Sequence, residues 1–306
     1  MDYQLTLGIL VFNQGPYVGS LLDSIAKQTV HNCPILIIDN FSTDETLDEL
    51  EAGLSRNSLH ERTTLIRNDT NLGSAEGLRQ LLSNSQTKYL AVIHGDDTLE
   101  PDYVETIFTK IDSGENFHAL NFNLRAFSNN NSIEIPKTIY RPLWIRNQLI
   151  NQFLVCGLNP GVMPGSVLDR EYVSKGQFLD FSTPINGVED TILWMRLVRS
   201  GGKISSIDKL CYNYRIHKSQ FSHSDERNSF YYGFARNLVI KESRNSFERI
   251  LALSEVNYEL NRFGSRSRYL EGLGIDNLRL YKFYSLFRIF NIIIRRVSLL
   301  LDQKST

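Results

Sequence analysis

Short apolar runs alternate with helical hydrophobic patterns through the first 110 residues, and this alternation constrains the fold more than any other feature. Leu5–Phe12 and Pro34–Ile38 are largely apolar, as in strands that are buried on both faces. Thr63–Arg67 and Tyr89–Ile93 are two further candidate strands. Helical patterns follow these runs, near residues 18–25, 47–54, 75–83 and 101–110. This order predicts a mostly parallel sheet with helices on both faces.

Functional residues are expected directly after these strands, because ligands of such sheets bind beyond the carboxyl ends of the strands. Polar residues do follow Phe12, Ile38, Arg67 and Ile93. A nicotinamide-binding Rossmann domain is excluded, because Asn13-Gln14-Gly15-Pro16 has a proline where the G-x-G-x-x-G turn would bind phosphate.

Composition and charge are those of an ordinary globular protein. The 306 residues include 33 Lys and Arg and 34 Asp and Glu, a net charge of −1. The tail is basic, with 13 basic and 7 acidic residues from Phe234 onward. Cys33, Cys156 and Cys211 have neither zinc nor disulfide spacing, and the first residues lack the pattern of a secretion signal. We therefore expect a cytoplasmic protein with no nucleic-acid partner.

Six polar segments lie at predicted strand ends or helix starts. They are V-F-N at 11–13, I-D-N-F-S-T-D at 38–44, N-L-G-S-A-E-G at 71–77, I-H-G-D-D at 93–97, V-E-D at 188–190 and Y-R-I-H at 214–217. With these segments the chain resembles glycosyltransferase family 2, the inverting nucleotide-sugar transferases with the GT-A fold. The corresponding family patterns are V-Y-N, V-D-D-G-S-T-D, N-x-G, D-x-D-D, E-D and Y-R-x-H. The resemblance covers roughly residues 4–220.

The resemblance implies a GT-A α/β fold, which is a Rossmann-like nucleotide-sugar-binding sandwich. We expect residues 1–225 to form this domain, with residues 1–115 binding the nucleotide sugar and residues 116–225 binding the acceptor. Residues 226–306 are expected to form a helical C-terminal extension. The implied reaction moves a sugar from a nucleotide-diphosphate sugar to a hydroxyl of a saccharide or lipid-linked saccharide, in bacterial surface polysaccharide synthesis.

By the same resemblance, Asp39 contacts the nucleoside of the donor, since a carboxylate after a buried strand accepts charge-assisted hydrogen bonds from a base or a ribose. A structural role also fits this turn. Ser42-Thr43-Asp44-Glu45 matches the S-x-x-E capping box, which predicts that Ser42 caps the next helix. The other expected donor-binding residues come from the same motifs and are Phe12, Asn13, Asn71, Gly73, His94 and Arg215.

The I-H-G-D-D segment predicts a metal site. A divalent cation held by carboxylates neutralises the charge that grows on a leaving diphosphate. The resemblance makes Asp96 the principal ligand, supported by Asp97, with His217 as a further ligand. His94 stands where the family has its first aspartate, and imidazole suits Mn²⁺ better than Mg²⁺. Either Mn²⁺ or Mg²⁺ fits the remaining pattern.

The V-E-D segment before a predicted helix supplies the catalytic acids. In the family the second acid is the general base, which takes the proton of the acceptor hydroxyl. This assigns Asp190 as the base and Glu189 as its support. The alternative is that both acids simply occupy the first turn of a helix, where the helix dipole favours negative charge.

Phe283–Leu301 is strongly apolar but is interrupted by Arg288, Arg295 and Arg296, so its uncharged runs are too short to span a bilayer. As a helix it would be amphipathic and basic. Peripheral contact with the inner face of the plasma membrane and packing against protein both fit this pattern.

Two other functions fit a similar sheet. One is a non-catalytic nucleotide-sugar-binding protein with a degenerate transferase fold. His94 favours this alternative, and the intact Asp96, Asp97 and Asp190 argue against it. The other is a nucleotidyltransferase, which would need a Gly-rich basic loop after the first strand, and the sequence has none there.

Overall fold

The computed structural model describes residues 3–128, 139–140, 162–179, 187–220, 226–246, 248–250 and 252–253. The predicted tail helix at Phe283–Leu301 lies outside these residues. Among the described helices, none has the length and apolar character needed to cross a membrane.

The first half of the chain alternates strands and helices as the sequence predicts. Its elements are β1 (Leu5–Val11), α1 (Gly15–Ala26), β2 (Ile35–Asp39), α2 (Thr46–Arg56), β3 (Thr63–Arg67), α3 (Ser74–Asn84), β4 (Tyr89–His94), β5 (Thr98–Leu99) and α4 (Tyr103–Asp112). A short 3₁₀ helix, His60–Arg62, precedes β3. Pro16 lies in the first turn of α1, where its missing N–H costs nothing, so it starts the helix.

The described residues of the second half contribute four strands, of which two are long and two are short, and three helices. They are β6 (Ala119–Phe127), β7 (Ile139–Tyr140), β8 (Val167–Asp169), α5 (Arg170–Lys175), α6 (Glu189–Arg199), β9 (Ile204–Arg215) and α7 (Glu226–Lys241). Helix α7 begins where the sequence predicts a helical extension. The strands β5, β7 and β8 are too short for a periodic signal, and the sequence did not predict them.

The described strands form one sheet in the order β3-β2-β1-β4-β8-β6-β9-β5, with β7 paired to β6. Strands β3, β2, β1 and β4 are parallel, and the sheet is mixed beyond β4. The register pairs Val11 with Asp39, Asp39 with Arg67 and Leu10 with His94. The predicted α/β class is confirmed. The predicted functional turns therefore follow strands whose carboxyl ends share one edge of the sheet.

The core explains why these runs are strands. Leu5, Leu7, Ile9 and Val11 of β1 are fully buried, and each such burial contributes about 1.5–3 kcal/mol. On the opposite face of β1, Gly8 leaves no space for a side chain, since a Cβ there would lie 2.6 Å from the Cδ1 atom of Leu90 in β4 and 3.2 Å from the Cδ2 atom of Leu81 in α3. Strand β1 is therefore covered on both faces, as its lack of alternation predicts.

The predicted capping box at Ser42 is wrong. Helix α2 begins at Thr46, three residues later than a Ser42 cap requires. The Ser42 hydroxyl instead accepts the backbone N–H of Asn13 at 2.9 Å, and Asp44 accepts the backbone N–H of Thr46 at 3.1 Å. A tertiary hydrogen bond to the turn after β1 thus replaces the local one that the sequence pattern suggests.

The chain divides into two compact units. The first comprises the described residues within Met1–Pro142, Val162–Gln177 and Ile204–His217, and it contains the whole sheet. The second comprises those within Leu143–Gly161, Phe178–Lys203 and Lys218–Thr306, including α6 and α7. The predicted boundary at residue 225, and the division into donor and acceptor halves, stay predictions.

The second unit is held partly by ion pairs from the end of α6. Arg196 pairs with Glu242 at 2.6 Å, just beyond α7, and the buried Arg199 pairs with the buried Glu248. Trp194 of α6 is fully buried. The C-terminal end of α6 is therefore anchored by buried charge as well as by apolar packing.

Candidate active site

The turns after β1 and β2 are joined by reciprocal hydrogen bonds. Asn13 has a positive φ of 51°, which asparagine tolerates, and its Oδ1 accepts the backbone N–H of Thr43 at 2.9 Å. The N–H of Asn13 donates to the Ser42 hydroxyl. Phe12 lies on the surface beside this junction, with 41% of its area exposed. The structure thus brings two predicted donor residues, Phe12 and Asn13, to the end of β1.

Asp39, the predicted nucleoside contact, is fully buried at the end of β2. Both of its carboxylate oxygens face the backbone N–H of Ser42, at 3.1 and 3.3 Å. The Arg67 guanidinium, at the end of β3, lies 3.5 Å from Asp39 Oδ2 and remains half exposed. Arg67 was not predicted from the sequence, because its role depends on the tertiary contact with Asp39. Its position as the last residue of β3 was the available signal.

Asn71 and Gly73 shape the turn between β3 and α3. Asn71 Oδ1 accepts both the side-chain amide of Asn40 and the backbone N–H of Gly73, each at 2.9 Å. Gly73 has a φ of +84°, which favours glycine, and it directly precedes α3. Asn40 is a further residue that the sequence reasoning did not assign. Both predicted residues are therefore at the same sheet edge as Asp39, where they fix backbone geometry.

His94, Asp96 and Asp97 form a cluster at the end of β4. One potential ligand atom from each lies within 4.8 Å of the others, close enough to hold a metal ion. Gly95 between them is required by packing, since a Cβ there would lie 2.2 Å from Gln14 Oε1 and 2.6 Å from Val11 Cγ1. Burial lowers the pKa of His94, against the opposing charge of Asp96, which favours the neutral imidazole that ligates metals.

Asp97 is bound by protein donors on both carboxylate oxygens. The Tyr212 hydroxyl donates to Oδ2 and the backbone N–H of Arg215 donates to Oδ1, each at 2.8 Å. Burial, and then the nearby Asp96 carboxylate, raise the pKa of Asp97 well above its ordinary value despite these hydrogen bonds. The Tyr212 hydroxyl also accepts the backbone N–H of His94. Asp97 therefore ties β4 to β9 beneath the cluster.

Arg215 and His217 approach Asp96 from the end of β9. His217 Nε2 lies 2.9 Å from Asp96 Oδ2. The buried Arg215 donates to the backbone oxygen of Asp96 and, at 2.8 Å, to the Ser20 hydroxyl of α1. Its guanidinium carbon lies 5.2 Å from the centre of the Tyr17 ring. The structure thus gathers the predicted residues Asp96, Asp97, Arg215 and His217 in one place.

Tyr212, Ser20 and Tyr17 complete this arrangement, and sequence reasoning missed all three. They come from β9 and α1, which are far from the I-H-G-D-D segment in sequence. Tyr212 precedes the Y-R-I-H motif by only two residues, and this adjacency was the available signal.

Glu189 and Asp190 lie in the first turn of α6, in the second unit. Glu189 Oε2 accepts the backbone N–H of Val188 at 3.0 Å, and Asp190 Oδ1 accepts that of Thr191 at 2.7 Å. Both acids are half-buried. Such contacts stabilise a helix start and leave part of each carboxylate facing solvent.

The sheet and the carboxylate cluster at its edge define a class of α/β protein that binds ligands beyond its strand ends. A family description, "Glycosyl transferase family 2", matches residues 6–175, which is more than half of the chain. The chain belongs to glycosyltransferase family 2.

A curated relative and two solved structures are similar over most of the chain. The UDP-Glc:alpha-D-GlcNAc-diphosphoundecaprenol beta-1,3-glucosyltransferase WfgD of Escherichia coli is 26% identical over 225 residues, covering 72% of this chain and 80% of that protein. The fold is shared with TarS 1–349 of S. aureus in complex with UDP-GlcNAc, at a TM-score of 0.63 and 17% identity, covering 85% of this chain and 73% of that one.

The fold is also shared with the mannosyltransferase PcManGT of Pyrobaculum calidifontis in complex with GDP-Man and Mn²⁺. That match has a TM-score of 0.59 and 15% identity, and it covers 98% of this chain and 87% of that chain. The two structures confirm the GT-A fold, and the family match and the Escherichia coli relative support glycosyltransferase activity. They do not favour the alternative of a non-catalytic binding protein.

Proposed function

We propose that the protein is a metal-dependent inverting glycosyltransferase that moves a sugar from a nucleotide-diphosphate sugar to an acceptor hydroxyl. The observation that carries this proposal is the His94–Asp96–Asp97 cluster at the sheet edge of a family 2 chain. The cluster follows β4, and β1 lies between β4 and the strand that ends at Asp39. The polar groups that we propose to bind the nucleoside and the diphosphate therefore follow strands whose carboxyl ends share one edge of the sheet.

The donor nucleoside is proposed to bind at the ends of β1 and β2. Asp39 would accept hydrogen bonds from the base or ribose, as its carboxylate is already held in place by Ser42. Phe12 is exposed beside it, and Asn13 holds the two turns together. Asn71 and Gly73 would shape the backbone that faces the donor, as they shape the start of α3.

The residues of the cluster fit a divalent cation. Two carboxylates and an imidazole with a lowered pKa are a donor set that suits Mn²⁺, and Mg²⁺ remains the second candidate. We assign Asp96 as the principal ligand, with His94, Asp97 and His217 around it. When bound, the cation would supply Lewis-acid neutralisation of the diphosphate charge.

Arg215 is proposed to act on the donor mainly through Asp96. Its guanidinium contacts the backbone oxygen of Asp96 and Ser20, and it is almost fully buried. A buried positive charge this close to the cluster adds attraction for a diphosphate without needing to touch it. Arg215 thus orients Asp96 and adds to the electrostatic attraction for the diphosphate.

Asp190 is proposed as the general base. As the acceptor oxygen bonds to the anomeric carbon, the bond from that carbon to the diphosphate breaks, and the electron pair leaves with the diphosphate. Asp190 takes the acceptor proton, and the single displacement inverts the anomeric configuration. A positioned base typically contributes about 10²–10⁴-fold to the rate. Glu189 supports the same helix start through its contact with Val188.

The acceptor is proposed to be a saccharide or a lipid-linked saccharide of a bacterial surface polysaccharide. The support is a relative whose name gives a diphosphoundecaprenol-linked acceptor. We also propose that the protein works in the cytoplasm, with peripheral contact between the basic tail and the inner face of the plasma membrane.

Hydrolysis of nucleotide sugars tests this function. Purified full-length protein is incubated with UDP-, GDP- and dTDP-sugars in the presence of Mn²⁺, Mg²⁺ or EDTA, and release of the nucleoside diphosphate is measured. We expect turnover of one donor that requires Mn²⁺ or Mg²⁺ and that Asp96→Asn reduces by at least about 100-fold.

Asp112→Asn is the matched control, because Asp112 is an exposed carboxylate at the end of α4. It should leave turnover unchanged. Undiminished turnover by the wild type in EDTA, or equal turnover by wild type and Asp96→Asn with Mn²⁺, would contradict metal-dependent transfer at Asp96. Failure of the wild type to bind any of these donors would contradict the proposed function as a whole.

A further inference from the structure

Phe41, in the turn after β2, has a backbone conformation that phenylalanine rarely adopts. Its φ is +70°, in the left-handed region where the side chain of a bulky residue crowds the backbone. The other described non-glycine residues with positive φ are Asn13, Ser58 and Gln177, so Phe41 is the aromatic one among them. The family pattern V-D-D-G-S-T-D has a glycine where this chain has Phe41.

The hydrogen bonds on both sides of Phe41 impose this conformation. The backbone N–H of Asn40 donates to the Val11 oxygen at 2.9 Å, which fixes the residue before it. The residue after it, Ser42, donates its N–H to Asp39 and accepts from Asn13. Strained backbone persists where its surroundings over-determine it, and such positions are concentrated at functional sites.

Core packing does not fully account for this strain, because 38% of the area of Phe41 remains exposed. A glycine would adopt this φ at no steric cost and would satisfy the same backbone hydrogen bonds. The ring therefore adds strain and exposed apolar area, which points to a ligand that covers it.

Exposed apolar side chains concentrate at this edge of the sheet. Among the described residues, five large apolar side chains are exposed, namely Tyr3, Phe12, Phe41, Leu65 and Leu72. Three of the five, Phe12, Phe41 and Leu72, lie in the turns that follow β1, β2 and β3. Tyr3 precedes β1 at the opposite end of that strand, and Leu65 lies in the middle of β3.

We propose that Phe41 is a specificity-determining residue that places its ring against the nucleobase of the donor. This rests on the proposed function. Strand β2 lies two strands from β4, about 10 Å away at about 4.8 Å per strand. With the diphosphate at the Asp96 cluster, the planar base is the part of the donor that reaches the β2 side, and aromatic rings stack on bases.

Binding of nucleoside diphosphates tests this assignment. UDP, GDP, CDP and ADP, each with Mn²⁺, are titrated into the full chain by calorimetry, and inorganic pyrophosphate with Mn²⁺ is the probe without a base. For the nucleotide that the wild type binds most tightly, Phe41→Gly should weaken binding by about tenfold. Pyrophosphate binding should stay unchanged, and Phe41→Tyr should bind the nucleotide within about twofold of the wild type.

The stability of the same variants separates a ligand contact from a structural role. Phe41→Gly removes the strained side chain, so we expect its melting temperature to equal or exceed that of the wild type. Phe41→Asn is a second variant without the ring, since asparagine also tolerates positive φ. Tyr3→Ala is the matched control, an exposed aromatic at the other end of β1, and it should bind the nucleotide like the wild type.

Unchanged nucleotide affinity in both Phe41→Gly and Phe41→Asn would overturn the assignment, as would an equal loss of pyrophosphate affinity. A wild type that binds pyrophosphate and every nucleotide alike would also overturn it. A wild type that binds none of the nucleotides would instead overturn the proposed function, so the two failures are distinguishable.

Discussion

Two pairs of adjacent acids have the same appearance in the sequence and very different surroundings in the structure. Asp96 and Asp97 are buried and bound by His217, Tyr212 and Arg215, each more than 110 residues away in sequence. Glu189 and Asp190 are half-buried, and hydrogen bonds from the residues directly beside them lie at the start of a helix. The first pair is held by residues that are distant in sequence, and the second accepts hydrogen bonds from its own helix start.

This difference fits the two chemical tasks that we propose. A metal site needs carboxylates held in fixed positions by surrounding groups, because a metal imposes its own geometry on the ligands. A general base must reach a second substrate and exchange a proton, so partial exposure suits it. Environment therefore distinguishes the proposed roles where the residue types do not.

The largest expected effect comes from the half-buried pair, Glu189 and Asp190. Asp190→Asn should lower transfer by about 10²–10⁴-fold, because it removes the proposed base, while donor binding stays within about twofold of the wild type. Steady-state transfer and calorimetric donor binding measure the two quantities. Asp48→Asn is the matched control, since Asp48 is also an acid in the first turn of a helix, α2, and it lies in an exposed position. Full transfer activity in Asp190→Asn would refute the assignment of the base.

The next test concerns the ion pair at the C-terminal end of α6, the helix that begins with Glu189 and Asp190. It compares the loss of a buried ion pair with the loss of an exposed one. Glu248→Gln leaves the buried Arg199 without its charged partner, which should lower the free energy of unfolding by about 3 kcal/mol. Asp23→Asn, at the exposed Arg56–Asp23 pair, should cost less than about 1 kcal/mol. Urea denaturation measures both changes, and equal costs for the two variants would contradict the role of burial.

Tyr212→Phe tests the surroundings of the buried pair, Asp96 and Asp97. It removes the hydroxyl that donates to Asp97 and accepts from His94, at a cost of about 1–3 kcal/mol in stability. Mn²⁺ affinity should fall by roughly tenfold, as expected when a residue that orients ligands is lost.

The control for Tyr212→Phe is Tyr103→Phe, which removes another buried hydroxyl, one that donates to the backbone oxygen of Gly165. It should reduce stability similarly and leave Mn²⁺ affinity unchanged. An equal fall in Mn²⁺ affinity in both variants would show that Tyr212 acts only through general stability.

The smallest expected effect concerns Cys33, a buried thiol that lies outside both pairs of acids. Burial raises the pKa of this thiol to about 11, so it stays neutral and protected well above the pH at which exposed thiols ionise. The neutral form is favoured in the fold, and this contribution to stability is lost as the pH rises toward 11. Iodoacetamide at pH 8 should label Cys33 only after unfolding, as read by peptide mass mapping. Rapid labelling of the native protein would contradict its burial.

Much of the fold follows from the sequence, because β1, β2 and β4 are continuous apolar runs and the helices between the first strands have a clear period. The order of motifs also placed Asp39, Asp96 and Arg215 correctly at strand ends. The capping box failed because Ser42 bonds to Asn13, a partner 29 residues away that no local pattern contains. Tyr212, Ser20 and Arg67 were not predicted for the same reason, because their roles depend on contacts with residues that are distant in sequence.

The most direct test of the central claim is a titration of Mn²⁺ into wild type and Asp96→Asn, each saturated with the nucleoside diphosphate that the wild type prefers. Electron paramagnetic resonance of free Mn²⁺ measures the fraction bound. The account predicts one site per chain in the wild type and a loss of affinity of at least about tenfold in Asp96→Asn. Equal binding by the two proteins would contradict a metal site at Asp96 and with it the proposed arrangement of the donor.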